Sequence, residues 1–110
     1  MAVPETKHVV VLVTASGEEE AKKIAKRLLE DRKAACVNII NGVSSLFTWQ
    51  GSQEEEQESL LVIKSGASLL PQIVETVKQV HSYDVPEIIA LPVVGGNGDY
   101  LEWIDSGIER

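Results

Sequence analysis

Two amphipathic helical stripes, each set between runs of apolar and β-branched residues, limit this chain to a layered fold of helices on a sheet. The first run, Val9 to Val13, has no polar residue and predicts a strand covered on both faces. After a break at residues 14–17, Ala21, Ile24, Ala25, Leu28 and Leu29 recur at helical spacing, with Lys22, Lys23, Lys26 and Arg27 opposite them. Ser16 is the expected N-cap, and Glu18, Glu19 and Glu20 suit the positive end of the helix dipole. Residues 34–40 turn apolar again, and Asn41-Gly42 signals a turn or bulge. Strand character resumes at Val43 and runs through Leu46, Phe47 and Trp49. Residues 51–57 read as a polar, acidic hairpin turn, and Leu60 to Ile63 as a further buried strand ending at Lys64.

The second helix carries Leu69, Leu70, Ile73, Val74, Val77 and Val80, with Pro71 in its first turn, where proline is tolerated. Residues 81–86 form an extended connector, because Pro86 disfavours helix at Val85. Ile88 to Val94 is a fourth strand, with Pro92 placing part of it at an edge or bulge. Gly95 to Gly98 is a flexible loop, and Asp99 is expected to cap a terminal helix whose Leu101, Ile104 and Ile108 face inward. This order is the split βαβ, or ferredoxin-like, arrangement of an α+β sandwich, βαββαβ with a C-terminal helix. One domain over residues 8–110 is expected, after a short tail at 1–7.

Composition narrows the function classes. At 44% apolar and 25% charged, the 110 residues describe a globular domain. A net charge of −7 argues against nucleic acid and against an anionic membrane surface, and mildly favours cations. The single cysteine, Cys36, allows no intrachain disulfide and fits a reducing compartment. No apolar run reaches the roughly 20 residues of a membrane span. Residues 1–7 lack the apolar core of a signal peptide. A cytoplasmic location is the expectation.

Residues 37–49, if continuous, span roughly 43 Å at about 3.3 Å per residue. A domain of this size has a radius of gyration of only about 13 Å. Either the hairpin overhangs its sheet, and Leu46, Phe47 and Trp49 are covered by another chain, or it folds back at Asn41-Gly42. The first alternative implies an oligomer built on a shared hairpin.

Candidate transition-metal ligands are few: Cys36, His8, His81 and Met1, with no CxxC, HxxxH or HxH pair. His81 and Glu87 flank a turn holding Tyr83 and Pro86 and are placed to converge on a small ligand or cation; alternatively His81 caps the helix before it. Cys36 is either a small inert core residue or a soft ligand. Lys64 either snorkels to solvent or faces a pocket. Glu58 shares its face of the strand, six residues earlier. Trp49 and Tyr83 join an aromatic body to a polar handle, which suits pocket walls and interfaces. Glu54, Glu55, Glu56 and Glu58 lack the spacing of an EF-hand loop. No nucleophile elbow, phosphate loop or nucleophile paired with His81 is visible, so no enzyme activity is expected.

Three ordered sets of residues resemble the CutA family. They are Ala34-Ala35-Cys36-Val37-Asn38 after Leu28-Leu29 and Arg32; then Ser45, Trp49 and Gly51 with Glu58 and the strand Leu61 to Lys64; then His81, Tyr83, Pro86 and Glu87 with Tyr100-Leu101 and Trp103. The resemblance runs from about His8 to Trp103. It implies a ferredoxin-like subunit of a tight homotrimer, with an architecture similar to the PII signalling proteins. It also implies a role in tolerance of divalent cations, with copper or another divalent ion as the candidate ligand. A ligand site would involve Lys64, Tyr83, Trp49 and Glu58, and a metal site at a subunit junction His81, Glu87 and Cys36. The alternative is a PII-like small-molecule sensor or assembly scaffold with no metal role. The chain departs from the family pattern at Lys33, Ser65 and Ser82. It also has Val13 and Val80 where a cysteine and a second histidine would supply soft ligands.

Overall fold

The computed structural model describes residues 6–109, so all but Thr6 and Lys7 of the expected tail, Met1 included, lie outside the described residues. The elements are β1 (His8–Ala15), α1 (Glu18–Glu30), β2 (Cys36–Trp49), β3 (Ser52–Gly66), α2 (Leu70–Val80), β4 (Ile88–Pro92) and α3 (Gly98–Gly107), with a 3-10 turn at Ala67–Leu69 leading into α2. The strands form one antiparallel sheet in the order β2-β3-β1-β4. This is the ferredoxin-like α+β sandwich that the element order predicts.

The core lies between the sheet and the two long helices. Val9, Val11 and Val13 of β1 and Leu61 and Ile63 of β3 meet Ile24 and Leu28 of α1 and Ile73 and Val77 of α2, all buried. The helices cover one face only. Val10 and Leu12, which alternate with the buried valines, are half-buried, as are Leu60 and Val62 opposite. The expectation that β1 is covered on both faces is therefore corrected for the single chain. On the uncovered side Ile40, Ile89 and Leu91 join them, each about half exposed. β4 is an edge strand that ends at Pro92, where a missing N–H disturbs no ladder.

β2 and β3 are much longer than the sheet they belong to. β1 reaches only as far as Ser59, so Ser52 to Glu58 of β3 pair with β2 alone. At Asn41 and Gly42 two residues oppose Ser59; this bulge, with Gly42 at φ 70°, shifts the register but does not fold the hairpin back. The result is a two-stranded arm from Val43 to Glu58, and it raises the radius of gyration to 14.7 Å. The polar stretch 51–57 is thus strand, not turn. The turn is the pair Gln50-Gly51, both at positive φ, as a two-residue hairpin loop demands.

The helix caps differ by a residue or two from those expected. Gly17, not Ser16, is the N-cap of α1, and Glu20 reaches back to accept from the Ser16 N–H at 3.1 Å. Asn97, not Asp99, caps α3, its side chain accepting from the Asp99 N–H at 3.0 Å. α3 is tied to β1 by His8, whose Nε2 lies 2.8 Å from Oδ1 of Asp105. The hydrogen bond to His8, followed by contributions from Lys7, holds the Asp105 carboxyl below its ordinary value.

Candidate functional site

Glu58 stands where the sheet ends and the arm begins, as the first β3 residue without a β1 neighbour. It lies on the face the helices leave open, yet it is only 8% exposed. Tyr83 covers it, donating its hydroxyl to Oε2 of Glu58 at 2.9 Å. Loss of solvation, reinforced by the hydrogen bond and charge of Glu58, pushes the Tyr83 hydroxyl up to about 12.

Tyr83 is placed by the residue that ends α2. The Tyr83 N–H donates to Nδ1 of His81 at 3.0 Å, so the proton of the neutral ring sits on Nε2 and is donated to the Thr14 carbonyl at 2.7 Å. Glu20 of α1 accepts from the Ser82 N–H at 3.0 Å. Burial acts to raise the Glu20 carboxyl, but its hydrogen bonds to Ser82 and Ser16 outweigh that and hold it below its ordinary value. Strand β1 and both long helices thereby fix the connector.

Between connector and arm lies a cavity of about 840 Å³. Phe47 and Trp49 wall it from β2, Glu56 and Glu58 from β3, Tyr83 and Asp84 from the connector and Glu87 from just beyond it; among the described residues no lysine, arginine or histidine lines it. Of the residues singled out in sequence, Trp49, Glu58, Tyr83 and Glu87 therefore meet around one space. Lys64 does not join them. It lies six residues from Glu58, roughly 20 Å along the strand, with Nζ 3.8 Å from Sγ of Cys36. Burial, with Cys36 beside it, pushes the Tyr100 hydroxyl up. Cys36 is half-buried and lies outside the core.

The set His81, Glu87 and Cys36 is not assembled within one chain. Cys36 sits level with Val10 of β1 and the His81 ring level with Thr14, about 13 Å apart along the strand. Both ring nitrogens of His81 are engaged, and His8 is spent on Asp105. Among the described residues no three His, Cys, Asp or Glu side chains converge to hold a metal ion. Copper prefers imidazole and thiolate, whereas the cavity offers separate carboxylates, so the donors of a single chain do not fit it. Asp84 escaped the sequence reading, and Glu56 was read there only as one carboxylate of an acidic hairpin turn. Glu56 was legible in principle, two residues from Glu58 on the same face of a strand.

Fold and site together define a class: ferredoxin-like proteins with an overhanging hairpin arm and an acidic, aromatic-walled cavity at its base. The family described as CutA1 divalent ion tolerance protein matches residues 9–107. The divalent-cation tolerance protein CutA of Thermus thermophilus is 50% identical over 95 residues, covering 86% of this chain and 92% of that protein. The chloroplastic CutA of Arabidopsis thaliana is 46% identical over 96 residues, 87% of this chain but 53% of that longer protein. Solved structures agree: CutA1 from Oryza sativa superposes with a TM-score of 0.93 at 43% identity, covering 96% of each chain. CutA1 from a psychrotrophic Shewanella gives 0.94 at 33%, covering 97% of this chain and 100% of that one. The chain belongs to the CutA1 divalent ion tolerance family. Its relatives carry chloroplastic and, in Archaeoglobus fulgidus, periplasmic in their names. No helix among the described residues is long and apolar enough to cross a membrane.

Proposed function

We propose that the protein is a homotrimer that takes part in divalent-cation tolerance, copper included, by binding a cation or small ligand where subunits meet, and that it is not an enzyme. The observation that carries this reading is the open side of the sheet. Val10, Leu12, Leu60 and Val62, with Ile40, Ile89 and Leu91, form a contiguous apolar face of the kind that marks an interface. The arm extends it with Phe47 at 42% and Trp49 at 60% exposure. A two-stranded ribbon is at best marginally stable in water, so a neighbour is needed to cover it. Three-fold closure is what membership of a PII-like trimeric family implies, and it turns one ligand into three. Because one chain lacks a copper donor set, neighbouring chains must complete the metal site. The single cysteine favours a reducing cytoplasm.

The test is calorimetric titration of the purified protein with copper and zinc, with light scattering to follow its mass. Saturable binding on a trimer, weakened by Glu87→Gln, is the expected result. His81→Ala is a poor probe, because its ring holds the connector in place. No binding to an intact trimer favours the second reading, a PII-like small-molecule sensor or scaffold, which the carboxylate-and-aromatic cavity supports. A monomeric mass overturns the assembly itself.

A further inference from the structure

We propose that the cavity at the base of the arm binds a primary alkylammonium ion, anchored on Oε1 of Glu58. This rests on reading the cavity as a ligand site and is separate from any uptake of metal.

Glu58 is 8% exposed, and carboxylates so far from water are normally held by a cation or by several hydrogen bonds. Among the described residues it has one side-chain hydrogen-bond donor, the Tyr83 hydroxyl on Oε2, and no ion pair. No fully buried side-chain oxygen among them lacks a partner, so Oε1 is not sealed in protein and opens on the cavity that Glu58 lines. Glu56, Asp84 and Glu87 add negative potential there, and among the described residues of the single chain no basic side chain in the lining offsets it.

Size and geometry choose among cations. At about 840 Å³ in the single chain, the cavity has the size of a small-molecule site and is far larger than a bare ion needs. Its carboxylates do not converge closely enough to replace a metal's hydration shell. An organic cation needs no such convergence, and the Trp49, Phe47 and Tyr83 rings suit its charge and its carbon chain. A guanidinium is best met by both oxygens of a carboxylate, but Oε2 already accepts from Tyr83. An ammonium needs only the remaining one, and the Thr14 and Ser45 hydroxyls lie in the same lining to accept its other protons.

The probe is n-butylammonium chloride, titrated calorimetrically into the assembled protein at low ionic strength. Saturable binding is expected, with a dissociation constant of about 1 mM or lower, at least about tenfold weaker in Glu58→Gln, and weaker for n-butylguanidinium. Glu87→Gln leaves the Tyr83–Glu58 contact intact and guards against a misfolded variant. Its binding should weaken at low salt and converge on that of the wild type at high salt. No saturable binding to the wild type overturns the proposal, as does equal binding to Glu58→Gln. Binding that appears only in Lys64→Ala also overturns it, because the ammonium would then belong to a second copy of the chain. Copper and zinc titrations with light scattering on the same sample read assembly and metal separately. A trimer that binds metal but not n-butylammonium therefore defeats this proposal alone.

Discussion

The hydroxyl of Tyr83 donates to Oε2 of Glu58 at 2.9 Å, tying the connector behind α2 to the root of the arm. Tyr83→Phe removes the one side-chain donor found among the described residues on a carboxylate that is largely out of water, and should destabilise the fold by about 1–3 kcal/mol. Its pH dependence has a definite sign. A phenol raised from 10.0 to about 12 contributes stability that is fully present below pH 10 and lost as pH rises through about 12. The gap in unfolding free energy between wild type and Tyr83→Phe should be flat below pH 10.0 and shrink above it. Denaturant titrations of both proteins from neutral pH upward check this; identical alkaline slopes would contradict it.

His81 is expected to matter for stability before it matters for any ligand. Its ring bridges the Thr14 carbonyl and the Tyr83 N–H inside the protein. His81→Ala strands both groups and should cost about 1–3 kcal/mol per unsatisfied partner, less whatever water can repair. Urea unfolding reads the loss directly. A variant as stable as the wild type would show that the ring is not a strut and would reopen its candidacy as a ligand.

Among the described residues two other than glycine, Gln50 and Arg32, occupy the left-handed region, and they should respond oppositely to glycine. Gln50, at φ 50°, sits in the exposed hairpin turn. Gln50→Gly relieves its strain and should raise stability by about 0.4–1 kcal/mol. Arg32, at φ 55°, also donates from its guanidinium to the Ser106 and Ile108 carbonyls, which pins the end of α3. Arg32→Gly loses those bonds, at about 0.5–1.5 kcal/mol each, and should destabilise despite the relieved backbone. Thermal unfolding of the two variants side by side tests the contrast.

The parts legible in sequence were those whose burial imposes a period. Val9, Val11 and Val13, the Ile24–Leu28 stripe and the Ile73–Val77 stripe mark β1, α1 and α2 because each packs into the core. Asn41-Gly42 marked the bulge because its backbone needs a residue tolerant of positive φ. The arm was half hidden. Glu54 to Gln57 pair with β2 but are exposed, so nothing forces apolar alternation on them and they read as a turn. The real turn carries Gln50 where asparagine would have signalled it. At the site, Glu58 and Tyr83 each drew attention by type. Their contact could not be read, because it depends on the hairpin register and on the His81 ring that aims the connector.

Trp49 closes the arm and should dominate assembly. It pairs with Ser52 at the tip of the hairpin, farthest from the core, and is 60% exposed in the single chain. Its ring lies outside the core of its own subunit, and aromatic anchors at the centre of interfaces commonly contribute about 2 kcal/mol or more each. Trp49→Ala should leave the secondary structure unchanged, because the residue lies outside the core. It should loosen the oligomer by at least about tenfold per affected interface. Light scattering across a dilution series separates the two effects. An assembly that resists dilution as well as the wild type would mean that the arm is held by its strand edges and not by its aromatic tip, and Phe47→Ala would then be equally silent.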